Sequence, residues 1–269
     1  MPEQGQRHRL HWSIDYDIGP QAPDFGIAML DTLERWSSSD AGDPALCRYV
    51  VLPNYEDGWD QLRAHNADSN IQIGSAVIRR RVTGDGVRAY EVDYRNDTSG
   101  ETLALQFIAS DEPLPRLQGE WSVTARNDAG DQYQGIRLRG STAVIDAKRV
   151  VTLTVNGIQF DVGAVAESAP LTSWWALFDA VPAMASGAAT ADGFALLEDL
   201  QKLRPQCTVT AVKGDPITLG GHRLRGYCLY GTGVLPTYWW LDEHGVVCVV
   251  SSTFQTLVRQ GSGDIGDAS

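Results

Sequence analysis

The stretch VRAYEVDYRNDTSGETLALQFIAS, residues 87–110, carries the alternation that decides the fold. Tyr90 and Tyr94 share one face of the first run, and Leu103 and Phe107 share one face of the second. The polar turn DTSG separates the two runs. A period of two places alternate side chains on opposite faces of a strand, so this stretch predicts an antiparallel hairpin with one apolar face.

The same alternation extends over residues 71–165, where further apolar runs are separated by polar, glycine-containing turns. Asn156-Gly157 is the strongest of these turn signals, because Asn-Gly suits a two-residue hairpin. Successive hairpins with one apolar and one polar face predict a large antiparallel sheet.

A second informative stretch is PTYWWL, residues 236–241. Trp239 and Trp240 are adjacent, so a strand would direct them to opposite faces. Large aromatic side chains on both faces predict that both sides of the sheet are covered at this point.

Three segments have apolar residues at helical spacing and predict helices over 24–37, 172–183 and 192–204. Thr172 or Ser173 is placed to cap the second helix, and Pro182 to interrupt it. In the third segment Phe194, Leu197, Leu200 and Leu203 form one stripe. The predicted fold is therefore mainly β (α+β): a large curved antiparallel sheet or open barrel wrapped around two or three helices.

We expect a single β-rich domain over residues 1–260, followed by a disordered tail at 261–269. Within the domain we expect a mixed α/β part at 1–70, a β-meander at 71–165, a helical insert at 170–205 and closing strands at 206–260.

Charge restricts the partners. The 269 residues include 22 Lys and Arg against 34 Asp and Glu, a net charge of -12, which argues against nucleic acid or an anionic membrane. The triplet Arg79–Arg81 is interpreted as a solvated strand edge.

No apolar run is long enough to span a bilayer, and the polar N-terminus lacks a signal-peptide core, so we expect a cytoplasmic protein.

No metal or cofactor motif is recognisable. The four cysteines show no CxxC spacing, and apart from His8 and His11 no histidines stand at metal-ligand spacing. GxSxG, P-loop, HExxH and dinucleotide-binding patterns are absent from the sequence. We therefore expect no metal and no cofactor.

Two residues are candidates for acid–base catalysis. His222 begins an alternating run in which Leu224 and Cys228 share its face, so it is expected to face the interior. Asp242 belongs to DEHG, where carboxylates stand beside an imidazole. The alternatives are a satisfied histidine in the core or at its rim, and a solvated hairpin loop.

Aromatic side chains are the candidates for ligand binding, because phenol hydroxyls donate hydrogen bonds and indoles stack on rings. The alternative for each is an ordinary place in the core. The candidates are Tyr90, Tyr94, Trp174, Trp175, Tyr227, Tyr230, Trp239 and Trp240.

ITLGGHRLRGYCLYG, residues 217–231, and PTYWWLDEHGVVCVVSST, residues 236–253, resemble the closing strands of half-barrel proteins related to the lipoprotein carrier LolA. The order of their predicted elements also resembles that of uncharacterised bacterial families of similar shape. The resemblance implies a long sheet wrapped around helices that holds lipid. Those carriers are exported with leaders, whereas no leader is recognisable here, which favours an intracellular ligand.

Three functions are consistent with these features. The first is a cofactor-independent enzyme, of lyase, isomerase or cyclase type, acting on an apolar or aromatic small molecule. The second is a non-catalytic intracellular binding protein for a lipid-like or aromatic ligand. The third is an interaction module that meets a protein through a sheet edge or an exposed face. The oligomeric state is left open.

Overall fold

The computed structural model describes residues 14–15, 19–20, 43, 45–53, 72–84, 86–127, 135–187, 190–219, 221–252 and 255–261. The predicted helix over 24–37 lies outside these residues, as does the predicted tail beyond residue 261. Strands β1 (Ile14–Asp15) and β2 (Gly19–Pro20) form a small antiparallel pair of their own.

Sixteen further strands of the described residues form one large sheet. The first eight are β3 (Leu46–Pro53), β4 (Gly74–Thr83), β5 (Val87–Asn96), β6 (Glu101–Ser110), β7 (Leu117–Asn127), β8 (Ile136–Ile145), β9 (Lys148–Val155) and β10 (Ile158–Ala166). The other eight are β11 (Leu171–Ser173), β12 (Thr190–Glu198), β13 (Lys202–Ala211), β14 (Ile217–Leu219), β15 (His222–Gly231), β16 (Val234–Leu241), β17 (Val247–Ser251) and β18 (Gln255–Arg259).

The strand order runs from β10 back through β9 to β3, continues across β18 to β15, and ends with β13, β12 and β11. Neighbours pair antiparallel, except that β11 pairs parallel with β12. The predicted meander is confirmed, including the turn at Asn156-Gly157, where both residues have positive φ. Among the described strands the path ends at β10 and β11, and these two do not pair to close the sheet into a barrel.

The sheet curves so that distant strands meet. β10 approaches β13, and β7 approaches β11. The indole Nε1 of Trp121 on β7 donates a hydrogen bond of 3.0 Å to the carbonyl oxygen of Leu200, in the turn between β12 and β13. A large curved sheet that is mainly antiparallel is therefore confirmed.

The described residues contain one α-helix, α1 (Leu177–Ser186), which follows a 3₁₀ turn at Trp174–Ala176. Ser173 caps this turn, because its Oγ accepts a hydrogen bond of 3.3 Å from the Trp175 amide. Pro182 lies inside α1 instead of interrupting it. The predicted helix over 172–183 is right from residue 174 onward and wrong before it, where Thr172 and Ser173 belong to β11. No helix in the described part of the chain is long and apolar enough to cross a membrane.

The predicted helix over 192–204 is wrong, because β12 and β13 form a hairpin there. Residues Phe194, Ala195, Leu196 and Leu197 are all buried, so this strand is covered on both faces. A strand covered on both faces shows no alternation, and its leucines can coincide with helical spacing. The prediction of two or three helices is not supported by the described residues.

Two apolar clusters lie on opposite faces of the sheet. Trp239 belongs to the larger cluster with α1, and Trp240 belongs to a smaller cluster with Tyr238 and Cys228. A Cβ atom on Gly226 would lie 2.7 Å from Cζ3 of Trp240, so this glycine makes room for the indole. The prediction that each tryptophan finds a covered face is confirmed.

The concave side is packed with side chains. Large side chains from β5, β6, β7 and β9 are buried in the larger cluster: Tyr90, Tyr94, Leu103, Phe107, Trp121 and Leu153. The apolar side of α1 fills the space above them, with the Phe178 ring 5.2 Å from that of Tyr49. The pockets described below therefore lie at the margins of this core.

Candidate functional site

Two pockets contain residues that the sequence selected. One, of about 300 Å³, includes Tyr94, Trp174 and Trp175; we call it the aromatic–acidic pocket. The other, of about 520 Å³, includes Tyr227 and Asp242 beside the β16–β17 turn; we call it the hairpin pocket. Tyr90 lines a third, more open depression across β5–β8. The other candidates line none of these three pockets: His222, Tyr230, Trp239 and Trp240.

Six elements meet at the aromatic–acidic pocket. The strands β5, β6, β16 and β18, the 3₁₀ turn and the β12–β13 hairpin all contribute side chains. Three carboxyl groups face the three aromatic rings: those of Glu101, Glu198 and Asp199. The other described lining residues are Leu103, Leu235, Thr237, Ser252 and Gln255.

The aromatic side of this pocket is fixed by ring contacts. The Trp174 and Trp175 rings meet edge to face at 4.8 Å, and Trp175 stacks on Phe178 of α1 at 5.9 Å. The Tyr94 hydroxyl donates a hydrogen bond of 2.7 Å to Oε1 of Gln255. Trp175 is almost fully buried, whereas Trp174 is half-buried, so Trp174 presents more of its ring to the pocket.

The acidic side is held by an unusual hairpin turn. Asp199 and Leu200 have φ of 45° and 58°, and the Gln201 amide donates to the Glu198 carbonyl at 2.9 Å. Aspartate tolerates this left-handed conformation, but leucine does so at a cost of about 1–2 kcal/mol. Leu200 is fully buried and its carbonyl accepts from Trp121, and these interactions hold the conformation. The strained turn places Asp199 at the pocket.

Asp199 is the acid whose surroundings matter most. Its pKa is raised from 3.8 to about 6, mainly by burial and also by the neighbouring charges of Glu198 and Glu101, whereas Trp175 and Lys202 act in the opposite direction. A carboxyl group with a pKa near 6 exchanges its proton close to neutral pH, which is a property of acid–base sites.

In the hairpin pocket, Asp242 organises the turn. Its Oδ1 accepts hydrogen bonds from the amides of His244 at 2.9 Å and Val246 at 2.8 Å. Its Oδ2 is buried and has no hydrogen bond within the described structure. These contacts are those of a hairpin loop, which was the structural alternative for DEHG. A catalytic role for Asp242 stays a prediction.

His222 does not join Asp242. It is the first residue of β15 and lies opposite Leu219 of β14. Leu224 and Cys228, which share its face, belong to the smaller cluster, whereas the hairpin pocket opens on the side of Tyr227. His222 is therefore not among the residues that line the hairpin pocket with Asp242.

The other aromatic candidates serve mainly as core. Trp239 is fully buried, with its ring 5.7 Å from that of Trp174. Trp240 belongs to the smaller cluster, and the partly buried Tyr230 packs against that cluster. Tyr90 stacks on Phe107 at 4.5 Å and is buried in the larger cluster.

A polar network joins Tyr90 to α1. Asp179 accepts a hydrogen bond of 2.7 Å from the Tyr90 hydroxyl and one of 2.6 Å from Nη1 of Arg88, which also pairs with Asp111. The Oδ1 atom of Asp179 lies 2.7 Å from Nε of Arg80, with which it forms an ion pair. Burial alone would lower the pKa of Arg80, but Asp179 raises it above the ordinary value. Two acids balance two guanidinium groups, so the network anchors α1 and has no unbalanced charge for a ligand.

Arg80 also corrects the interpretation of the arginine triplet. Arg79 is exposed and pairs with Asp93, as a solvated strand edge would. The Arg80 side chain is only 9% exposed and turns toward Asp179, so the triplet is not uniformly solvated.

The described residues show no group of three His, Cys, Asp or Glu side chains that could hold a metal ion. The four cysteines are buried thiols without disulfide bonds. Burial raises the pKa of Cys207 and of Cys228 to about 12, so these thiols stay protonated and are poor nucleophiles.

No family model matches the chain, and no curated protein matches it. It is similar in fold to a β-barrel-like protein of a domain of unknown function, DUF1849, from Brucella abortus; the TM-score is 0.46 at 10% identity, over 80% of this chain and 97% of that one. A DUF1089 family protein from Pseudomonas aeruginosa gives a TM-score of 0.33 at 13% identity, over 64% of this chain and 87% of that one. Neither description is of a lipoprotein carrier, and the resemblance to such carriers stays a prediction.

Proposed function

We propose that this protein binds a small molecule with an aromatic or apolar body in the aromatic–acidic pocket. The observation that carries the proposal is the convergence of Tyr94, Trp174, Trp175 and the titratable Asp199 on one cavity of about 300 Å³. Ligand sites are commonly concave and mostly apolar, with a few fixed polar groups and perturbed pKa values.

The packing around the pocket supports a preformed site. Trp175 is held between Trp174 and Phe178, and the Tyr94 hydroxyl is fixed by Gln255. Rings that are already ordered lose little conformational entropy when a ligand stacks on them. Trp174 is the main contact for such a ligand, because it is the least buried of the three rings.

Acid–base catalysis on the same ligand is a second candidate, favoured by Asp199. A carboxyl group whose pKa is about 6 can remove a proton from a bound molecule and return it elsewhere without a cofactor. This is the chemistry of the lyase, isomerase or cyclase expected from the sequence. In this pocket Asp199 takes the acid–base role that the sequence analysis predicts for His222 and Asp242.

The test is a screen of small aromatic compounds of positive, neutral and negative charge by thermal shift and tryptophan fluorescence. Trp174→Leu is expected to weaken any hit by about 2- to 10-fold, because stacking on an aromatic ring is worth about 0.5–1.5 kcal/mol. Phe160→Leu is the matched control, since Phe160 is an exposed aromatic residue on β10 outside the pocket. The proposal is refuted if no class of compound binds, or if Trp174→Leu binds every hit as tightly as the control does.

Catalysis is tested on the same hits. Each hit is incubated with the protein and the mixture is analysed by mass spectrometry and chiral chromatography. Conversion that disappears in Asp199→Asn supports the enzyme, whereas recovery of every ligand unchanged leaves a binding protein.

A further inference from the structure

The charges around the aromatic–acidic pocket are not balanced within its lining. The described lining residues carry three carboxyl groups, of Glu101, Glu198 and Asp199, and no Lys, Arg or His. Glu198 is paired outside the pocket, where its Oε2 lies 2.9 Å from Nε of Arg204. Glu101 and Asp199 have no ion pair among the described residues. This contrasts with the balanced network at Asp179.

We propose that the ligand of this pocket carries a positive charge, as an organic ammonium group seated between the Asp199 carboxylate and the rings of Trp174 and Trp175. This inference rests on the proposed binding function and adds the chemical class of the ligand. Aromatic faces attract organic cations through the ring quadrupole, and adjacent carboxylates add a direct charge interaction. A net charge of -12 on the whole chain favours the approach of a cation over that of an anion.

The arrangement of the acids favours an organic cation over a metal ion. Metal ions need several ligand atoms at about 2.0–2.6 Å, which brings the ligating carboxylates close together. The described carboxyl groups of this pocket do not form such a cluster. An ammonium group attached to a carbon skeleton instead accepts partners that are spread over a cavity lined by rings.

Trp175 supplies an independent sign of a ligand site. It is 3% exposed, it lines the pocket, and its buried Nε1 makes no hydrogen bond of normal geometry. The indole is nevertheless close enough to Asp199 to oppose the rise in the pKa of that carboxyl. When a cation binds and Asp199 ionises, this N–H is placed to stabilise the carboxylate.

Ionisation of Asp199 makes binding depend on pH. The groups that act on it are Glu198, Lys202 and Trp175 from neighbouring elements and Glu101 from β6, while Arg204 pairs with Glu198. A pKa of about 6 means that about one carboxyl group in ten is ionised at pH 5, and most are ionised at pH 7. Cation binding is expected to strengthen by about 10-fold over this interval.

The test uses three compounds with one aromatic body: 2-phenylethylammonium, 2-phenylethanol and phenylacetate. Titration calorimetry and tryptophan fluorescence on the full chain at pH 5 and pH 7 give the affinities. The ammonium compound is expected to bind at least about 10-fold more tightly than the alcohol at pH 7, and more tightly still than the carboxylate. Asp199→Asn is expected to remove this preference.

Asp146→Asn is the matched control, because Asp146 is an exposed aspartate that also has a positive φ in a hairpin turn. It is expected to keep the preference for the cation. If alcohol and ammonium bind equally in the pocket, or the carboxylate binds best, the cationic ligand is refuted and the binding function stands. If none of the three binds and the wider screen also gives no hit, both proposals are refuted.

Discussion

Replacing Asp199 by asparagine is expected to stabilise the protein at neutral pH. Asparagine keeps the size of the side chain and is among the residues best suited to positive φ, which is 45° here. The folded-state pKa of Asp199 is raised from 3.8 to about 6. Each pKa unit corresponds to about 1.4 kcal/mol, so ionising this carboxyl in the folded protein costs about 2–3 kcal/mol.

The sign follows from proton binding. Between pH 4 and pH 6 the folded state holds this proton more tightly than the unfolded state does, so stability falls as the pH rises through this interval. Below pH 4 the group is neutral in both states and its contribution disappears. Asp199→Asn should therefore match the wild type near pH 4 and exceed its free energy of unfolding by about 2–3 kcal/mol at pH 7.

Urea denaturation of both proteins from pH 4 to pH 7.5 measures this difference, with Asp146→Asn as the control that should follow the wild type. Subtracting the wild-type free energy of unfolding from that of the variant at each pH cancels the contributions of the other carboxyl groups, because these titrate in both proteins. A variant that is less stable than the wild type at pH 7, or whose advantage does not grow with pH, would show that Asp199 is not a strained acid. If Asp199→Asn both stabilises the protein and abolishes ligand binding, Asp199 contributes to function at the expense of stability.

Three other substitutions test the packing, each measured by urea denaturation. Asp179→Ala leaves two guanidinium groups without their shared carboxylate and is expected to cost about 3–5 kcal/mol; a loss below 1 kcal/mol would mean that the network does not anchor α1. Trp239→Ala removes a fully buried indole and should cost about 3–5 kcal/mol, so a variant of unchanged stability would contradict its place in the core. Gly140→Ala puts a Cβ atom 2.1 Å from the Trp121 ring and should cost at least about 1–3 kcal/mol, whereas Gly187→Ala, with open space around it, should cost much less.

The sheet could be predicted where one of its faces is exposed. Residues 87–110 alternate because one face packs on the core and the other meets water, and the hairpin at Asn156-Gly157 follows from turn chemistry. The strand at 190–198 could not be recognised, because burial on both faces removes the alternation. Its hairpin turn was hidden as well, since Leu200 adopts a conformation that the residue itself disfavours.

The sequence predicts the aromatic residues of the candidate site but not its acidic residues. Tyr94, Trp174 and Trp175 are candidates in the sequence because they are aromatic, and the structure brings them to one pocket. Their acidic partners were missed, because Asp199 lay in a predicted helix where a charged residue looks solvated. Side chains such as Arg80 and Asp179, which meet only through the curvature of the sheet, leave no local pattern in a single sequence.

The adjacency of β3 and β18 also bears on how the chain folds. On either side of this junction most strands pair with a neighbour in the sequence, so both halves can form from short loops. The junction is different: the Tyr49 hydroxyl meets the Val247 carbonyl, 198 positions away. Closing a loop of that length costs about 5 kcal/mol of chain entropy, so this junction is expected to form last. Until it does, Val51 on β3 and Leu257 on β18 belong to unpaired edges, which makes the half-folded chain the species most prone to aggregate.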